Sequence, residues 1–592
     1  MKRPARRGRL VGIALAASGI LTGCTGVPVD GPVLSSDRPG LAQNGGDIAV
    51  KAQGPAQGAK PASIIDGFLV AMAEYQPGYT TARQFLTEPA SASWRPGTVH
   101  IYADLAGLTM TSDSTARINA QLVGQLDRGG VYTAVGGSAM SLDFGLDLNE
   151  QGEWRISSLP ADLGVVVTRA RFNSAYQRLD TYYFDDQGQV LLPDTRYLPR
   201  GRWLRQLIEA LLAGPSSRVA AIADASLVTT VTLDETTDLG FEAGVVTIPL
   251  APNGAPRGLF DTTRLAIQCA ATLRQIAGVE AVRLTVGGQP LAVEGQAADG
   301  SLALTEVSRF DPFVRSAAAV SLLAIQDSLV VRLAGRAWLG DLGTTARAMS
   351  ALAVASNLAG QADRIAVVTP TGLTLGPGSG ELPEVLVASD LIRPQFDRQG
   401  WLWAFAPTET GSQVWLVTRE SVDQLSAPAL TGRIVRAVRI APDGRRVALV
   451  VEAMVGGQAE APPEPRRLGL AQVRLGVDGR VWLDGWRDLP VVVDGAELGA
   501  IADVAWVGPS TLNVLGTTVG SEANAVYSLR LDGVEPPEAI GRPDERALVS
   551  LTTVPGDGSL IVLDATGEAH RWLDAHAWES LGSGLTAIAY AT

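Results

Sequence analysis

The sequence predicts a multi-domain chain: a small α+β domain of the cone-shaped NTF2-like kind, a second α+β domain, and an all-β propeller of six blades. Three observations carry that prediction. Over 63–165 a helical apolar spacing gives way to alternating strand patterns. The same mixture returns over 178–293. From 317 to 592 a strand–turn–strand unit recurs at intervals of about 45 residues. Ahead of these regions stand a leader, 1–23, and a tether, 24–62.

Lys2, Arg3, Arg6, Arg7 and Arg9 open the leader, and the uncharged run LVGIALAASGILT follows over 10–22. That run is too short to span a hydrocarbon layer of ~30 Å, and it has the length of a signal-peptide core. Leu21-Thr22-Gly23 lead directly into Cys24, a stretch that resembles a lipobox. The expectation is lipidation of the Cys24 thiol and cleavage before it. Acyl chains at ~0.8 kcal/mol per buried CH₂ would make a stable membrane anchor. Residues 25–62 are rich in Gly, Pro, Ala and Gln, the composition of a flexible tether with a reach of roughly 35 Å.

The net charge is −13. Loss of the leader would take it to about −18. Such a balance argues against nucleic-acid binding through phosphate neutralisation. Lysine occurs only at 2, 51 and 60, with Arg elsewhere, which reads as the coding bias of a GC-rich genome. With Cys24 lipidated, Cys269 stands alone, no intramolecular disulfide can form, and each domain must rest on its core.

Ile64, Phe68 and Met72 share one helix face, with Ser63 as the expected cap. Ile118, Ala120, Leu122 and Leu126 then alternate with polar residues, as do Leu142, Phe144, Leu146 and Leu148. A turn at Asn149–Gly152 leads into a strand at Trp154–Ile156. In the second region, Tyr182–Phe184 and Val190–Pro193 flank the turn Asp185-Asp186-Gln187-Gly188, a hairpin pattern. Trp203, Leu207 and Leu211 mark a helix stopped by Gly214-Pro215. Strands are expected at Leu227–Leu233, Val245–Leu250 and Val279–Val286, and a second helix carries Leu265, Cys269, Leu273 and Ile276. The blocks YYFDDQGQVLLPDTR, IEALLAGPSS and LAIQCAATLRQIAGVEAVRLTVGGQPL resemble the GerMN domain of sporulation and germination proteins, which implies an interaction or cell-wall-associated module.

In the propeller the repeating segments begin at Met349, Ile392, Val435, Ile501 and Leu548. One interval is longer, about 66 residues, and the loop-like insertion GGQAEAPPEPRR at 456–467 accounts for it. LTAIAYA from Leu585 reads as a sixth first strand with no room for partners after it. Those partners are expected around Leu322–Leu333 and Arg336–Leu339, which would close the ring and remove free sheet edges.

No catalytic set is legible, and the expectation is a protein that is not an enzyme and needs no cofactor or metal. The three histidines are His100, His570 and His576. The last two, in HRWLDAHAW, lie on strand-like sequence without a third ligand. Asp185-Asp186 read as turn formers rather than an acid–base pair, and Cys269 as a buried core residue. Trp401, Trp403, Trp415, Trp482, Trp486, Trp506, Trp572 and Trp578 fall in the propeller, where they either pack the blades or ring a binding surface.

The order of leader, lipobox, tether, α+β domain, GerMN domain and propeller resembles the actinobacterial LpqB lipoproteins along the whole chain. The resemblance implies an extracytoplasmic location on the cell membrane, with Cys24 as the lipid attachment. It also implies a partner, the extracytoplasmic domain of a sensor histidine kinase of the MtrB kind, and a role in two-component signalling for cell-wall homeostasis and division. The alternative reading is a peptidoglycan- or glycan-binding envelope protein.

Overall fold

The computed structural model describes residues 53–590, apart from 106, 201–202, 254–258, 314–319, 335–336, 346–350, 357–361, 378–381, 454–465, 494, 519, 522, 545 and 575–576. Cys24, the 1–23 leader and the tether up to residue 52 therefore lie outside the described residues, as do His576 and most of the 456–467 insertion. Arg467, the last residue of that insertion, opens a strand, Arg467–Leu475.

The first helix, Pro61–Ala73, starts before Ser63, with Pro61 at its first position and Lys60 before it. Proline presets the helical φ and has no N–H to leave unpaired there, so Ser63 is not needed as a cap. Ile64, Ile65, Phe68 and Met72 are buried against a curved sheet. In that sheet Thr115–Leu126 pairs with Tyr132–Leu148 and Val99–Leu105, and Val165–Thr168 adds a parallel edge. Strict alternation along Thr115–Leu126 puts Ala116, Ile118, Ala120 and Leu122 inside. Leu142, Phe144 and Leu146 follow the expected pattern, but Leu148 is exposed at the strand end before the turn. This is an α+β domain, and its core extends through Phe172 to Tyr176 and Tyr197.

The next domain opens with a two-stranded hairpin, Tyr176–Phe184 with Leu191–Pro199. Its first strand is an edge, and edges leave N–H groups unpaired. The helix Leu259–Leu273 and the residues just after it supply the acceptors. Gln268 Oε1 takes Phe184 N at 3.0 Å, Thr272 Oγ1 takes Tyr182 N at 3.1 Å, and Gln275 Oε1 takes Asp180 N at 3.0 Å. Helix spacing thus matches the two-residue repeat of the strand. The adjacent face of this helix buries Leu265, Cys269 and Leu273 against a sheet built on Val245–Pro252 and Ala281–Val286. Between 227 and 233 the expected strand shrinks to Val231–Leu233, because Val228–Thr230 form a 3₁₀ turn.

Six sheets follow among the described residues, and each is one blade. The second to sixth blades begin with Ala351–Ser356, Gln395–Phe396, Arg433–Ile440, Ala496–Gly508 and Leu548–Thr553, and the fifth also carries a short extra strand, Val492–Val493, outside the count of four. The first blade is composite. Leu322–Gln326, Leu329–Ala334 and Ala337–Thr345 join Leu585–Tyr590, with Leu322 opposite Tyr590 and Ala324 opposite Ile588. The strand at Leu585 therefore shares a sheet with Leu322–Gln326, as the sequence predicts.

Inner strands are tied across the ring. Arg439 of the fourth blade grips Asp503 of the fifth through two bonds of 2.7 and 2.8 Å, and Asp503 also accepts Leu551 N of the sixth at 3.0 Å. Arg393 donates to the Leu551 carbonyl at 3.3 Å. Burial, with Arg439 beside it, pulls the Arg393 guanidinium down to about 9.

Candidate functional site

The chemistry-bearing residues gather where the two α+β domains meet the propeller. Asp185 sits in the hairpin turn of the second domain and accepts the backbone N–H groups of Gln189 at 2.7 Å and Val190 at 3.1 Å. Its other oxygen receives Arg445 Nε at 3.0 Å and Nη2 at 2.8 Å. Arg445 also pairs with Asp186 at 2.5 Å. Side-chain exposure is 2% for Arg445 and 3% for Asp185. Arg445 is presented by the Asp443-Gly444 turn of the fourth blade, where Asp443 accepts its backbone N–H at 2.8 Å. The Asp185-Asp186 pair is thus a turn former and also an inter-domain latch. Burial raises the Asp186 carboxyl, and Arg445 opposes that rise.

Asp532, in a turn of the fifth blade, is the second junction. It accepts Tyr197 Oη at 2.9 Å, Arg178 Nε at 3.2 Å and Arg530 Nη2 at 3.3 Å. Burial raises the Tyr197 phenol, and the Asp532 charge raises it further. Two residues on, Val534 is buried in the core of the N-terminal domain. Gly130 of that domain accepts Tyr197 N at 2.7 Å through its carbonyl. Its φ is 77°, and a Cβ there would stand 2.7 Å from the Tyr197 carbonyl oxygen, so only glycine fits the approach.

These contacts share one face of the propeller. They involve turns between first and second strands in the third and fourth blades, and between third and fourth strands in the fifth. In a strand meander those turns lie at the same end. Between the docked domain and the fourth and fifth blades lies a cleft of about 490 Å³ whose lining includes Arg218, Arg446, Arg474 and Arg487.

The remaining candidates fall into structural roles. Cys269 is fully buried, and burial pushes its thiol up to about 12. His100 is half-buried on the strand Val99–Leu105, and burial lowers its imidazole. His570 lies within reach of Asp564 and Glu568, with ligand-type atoms inside 4.8 Å of one another. Asp564 already accepts His570 Nε2 at 3.1 Å, Thr566 Oγ1 at 2.7 Å and Glu568 N at 2.9 Å. Arg546 bridges Asp564 at 2.9 Å and Glu568 at 2.6 Å. A guanidinium thus already compensates both carboxylates, and the group is a clasp within the sixth blade.

Trp403 and Trp506 are buried, and the other six propeller tryptophans named above are partly buried. Trp403 Nε1 bonds Asp397 at 2.8 Å, and Trp506 Nε1 bonds the Arg439 carbonyl at 2.9 Å. Trp572 and Trp578 oppose each other across two strands. Trp401, Trp415, Trp486, Trp572 and Trp578 pack against blade cores, and Trp486 also lines the cleft. The inter-domain arginines escaped sequence reading. Only their place in Asp-Gly turns, shared with other hairpins, could have pointed to them.

The fold defines a modular β-propeller protein with two α+β domains docked on one face of the ring. Residues 54–173 match the family model described as lipoprotein LpqB, N-terminal domain. Residues 330–587 match the lipoprotein LpqB beta-propeller domain, and 180–292 match Germane, sporulation and spore germination. Lipoprotein LpqB of Cutibacterium acnes is 28% identical over 608 residues, covering 99% of each chain. That of Rhodococcus opacus is 28% identical, covering 89% of this chain and 94% of its own. Among solved structures, TolB from Acinetobacter baumannii aligns at a TM-score of 0.32 with 11% identity, over 54% of this chain and 85% of that one. The chain belongs to the lipoprotein LpqB family. No helix among the described residues is long and apolar enough to cross a membrane.

Proposed function

We propose that this protein is a membrane-anchored extracytoplasmic lipoprotein, attached through Cys24, that binds the sensor region of an MtrB-like histidine kinase and modulates its two-component signalling. The observation that carries the reading is the match to lipoprotein LpqB along 99% of the chain. The lipid would confine the protein to the membrane plane and raise its effective concentration at a membrane receptor. The docked domains occupy one propeller face, and the opposite face is the surface available to the kinase. A kinase equilibrium shifts only by the difference in affinity for its two states, so binding must favour one of them.

The test is kinase autophosphorylation in vesicles containing the purified kinase, with wild-type protein, with Cys24→Ala, and with neither. Wild type should change the rate, and Cys24→Ala should lose the effect while retaining its fold. Equal rates in all three arms would sink the proposal.

A further inference from the structure

The cleft between the Germane domain and the fourth and fifth blades holds more positive charge than its walls neutralise. Two of its carboxylates are engaged. Asp194 binds Arg196 at 2.7 Å and both the N–H and the hydroxyl of Ser216 at 2.7 Å. Asp532 is taken by Arg178, Arg530 and Tyr197. Arg446 is satisfied by Asp443 at 2.6 Å and by the Pro509 carbonyl at 2.7 Å. Asp484, the remaining carboxylate of the lining, is exposed and accepts the Gly485 N–H at 2.8 Å.

Arg487 and Arg218 are left over. Among the described residues the Arg487 side chain has no hydrogen bond and no ion pair. Among the described residues the Arg218 side chain has one hydrogen bond, to the Tyr132 carbonyl, and no carboxylate within ion-pair distance. Arg474 stands at the same wall, within the field of Asp186. The backbone is shaped for this crowding. The outer strand Val481–Asp488 breaks register opposite Leu470 and Gln472, and Gly485 takes φ 68° there. Such bulges re-aim side chains and recur beside binding sites. Burial, together with the neighbouring charges of Arg218 and Arg446, lowers the Arg487 guanidinium to about 10.

Guanidiniums without a carboxylate, facing one cleft, are the group that tetrahedral oxyanions fit, through paired N–H donors. A volume of about 490 Å³ lies in the range of small-molecule sites and has room for an organic body beside the anion. We propose that this cleft binds a phosphate-bearing ligand through Arg487 and Arg218, with Arg474 at its wall. The phosphate could belong to a soluble ester or to a lipid head group. Either would place a negative charge where the two domains meet and fasten them together.

The test uses the full chain in detergent, with pyrophosphate as probe, read by calorimetry and by melting temperature. Wild type should bind saturably and melt higher with the probe. Arg487→Gln and Arg218→Gln should each weaken binding at least tenfold, while the distant Arg117→Gln should not. Without probe, Arg487→Gln should melt no lower than wild type, because it relieves repulsion and breaks no bond. Vesicles with phosphatidylglycerol, compared with phosphatidylcholine alone, separate the sources. Competition with pyrophosphate by the former assigns the site to a lipid head group, and no competition assigns it to a soluble phosphate. The proposal is overturned by no saturable binding, by wild-type affinity in both variants, or by a lower melting temperature of probe-free Arg487→Gln.

Discussion

Arg445→Met should loosen the junction between the Germane domain and the propeller. Removing one partner from a buried ion pair costs about 3–5 kcal/mol, because the other charge stays buried and unpaired. Asp185 keeps the Gln189 and Val190 backbone donors after the change, which places the expected cost at the lower end, about 3 kcal/mol. A chain of several domains need not unfold in one step, so a local readout is required. Hydrogen exchange at the amides of Gln189, Val190 and Gly444 serves, since all three are bonded at this junction. Protection should fall roughly a hundredfold, at a tenfold change per 1.4 kcal/mol. Asp185→Asn should fall less, and the double variant should cost less than the two singles combined, by about 1–3 kcal/mol. Unchanged protection in Arg445→Met, or strict additivity in the cycle, would refute the latch. The exposed pair Arg117–Asp143 offers the contrast, and Arg117→Gln should leave these amides unchanged.

Three further outcomes are expected. Burial raises the Asp397 carboxyl from 3.8 to about 6, so its contribution to stability is present below pH 4 and is lost as pH rises through about 6. The drop is about 2–3 kcal/mol, and denaturant titrations at pH 4 and pH 7 should show it vanish in Asp397→Asn. Cys269 should resist maleimide at pH 8 in the folded protein and react once the chain is unfolded in guanidinium; rapid native labelling would contradict its burial. Deleting Leu585–Tyr590 should expose Leu322–Gln326 as a bare edge and drive association, read by size-exclusion chromatography, and a well-behaved monomer would count against closure through this strand.

What was legible in the chain was local or periodic. The strand–turn–strand unit repeats, so five blades and the stranded last strand at Leu585 could be read from spacing alone. The helix with Leu265, Cys269 and Leu273 could be read because one apolar face is continuous. Gln268, Thr272 and Gln275 were opaque, because nothing in their spacing shows that they complete the hairpin edge. The latch was half legible. Asp185 and Asp186 announce a turn, but Arg445 lies about 260 residues away, and no local pattern links a turn in one domain to a turn in another. Ser63 was misplaced as a cap because a capping residue and a proline start compete, and Pro61 wins by geometry.

Closure through Leu585–Tyr590 also sets a timetable. The inner position of the first blade stays empty until about 260 more residues have been made, which at ribosomal rates is roughly ten to fifty seconds. During that interval the second to sixth blades can form, and the Germane hairpin can find Arg445 and Asp532 on them, while the ring is still an open arc. A nascent chain of this kind is therefore exposed at one known edge, Leu322–Gln326, for nearly the whole time its propeller is being made. That edge is where a chaperone would have to wait.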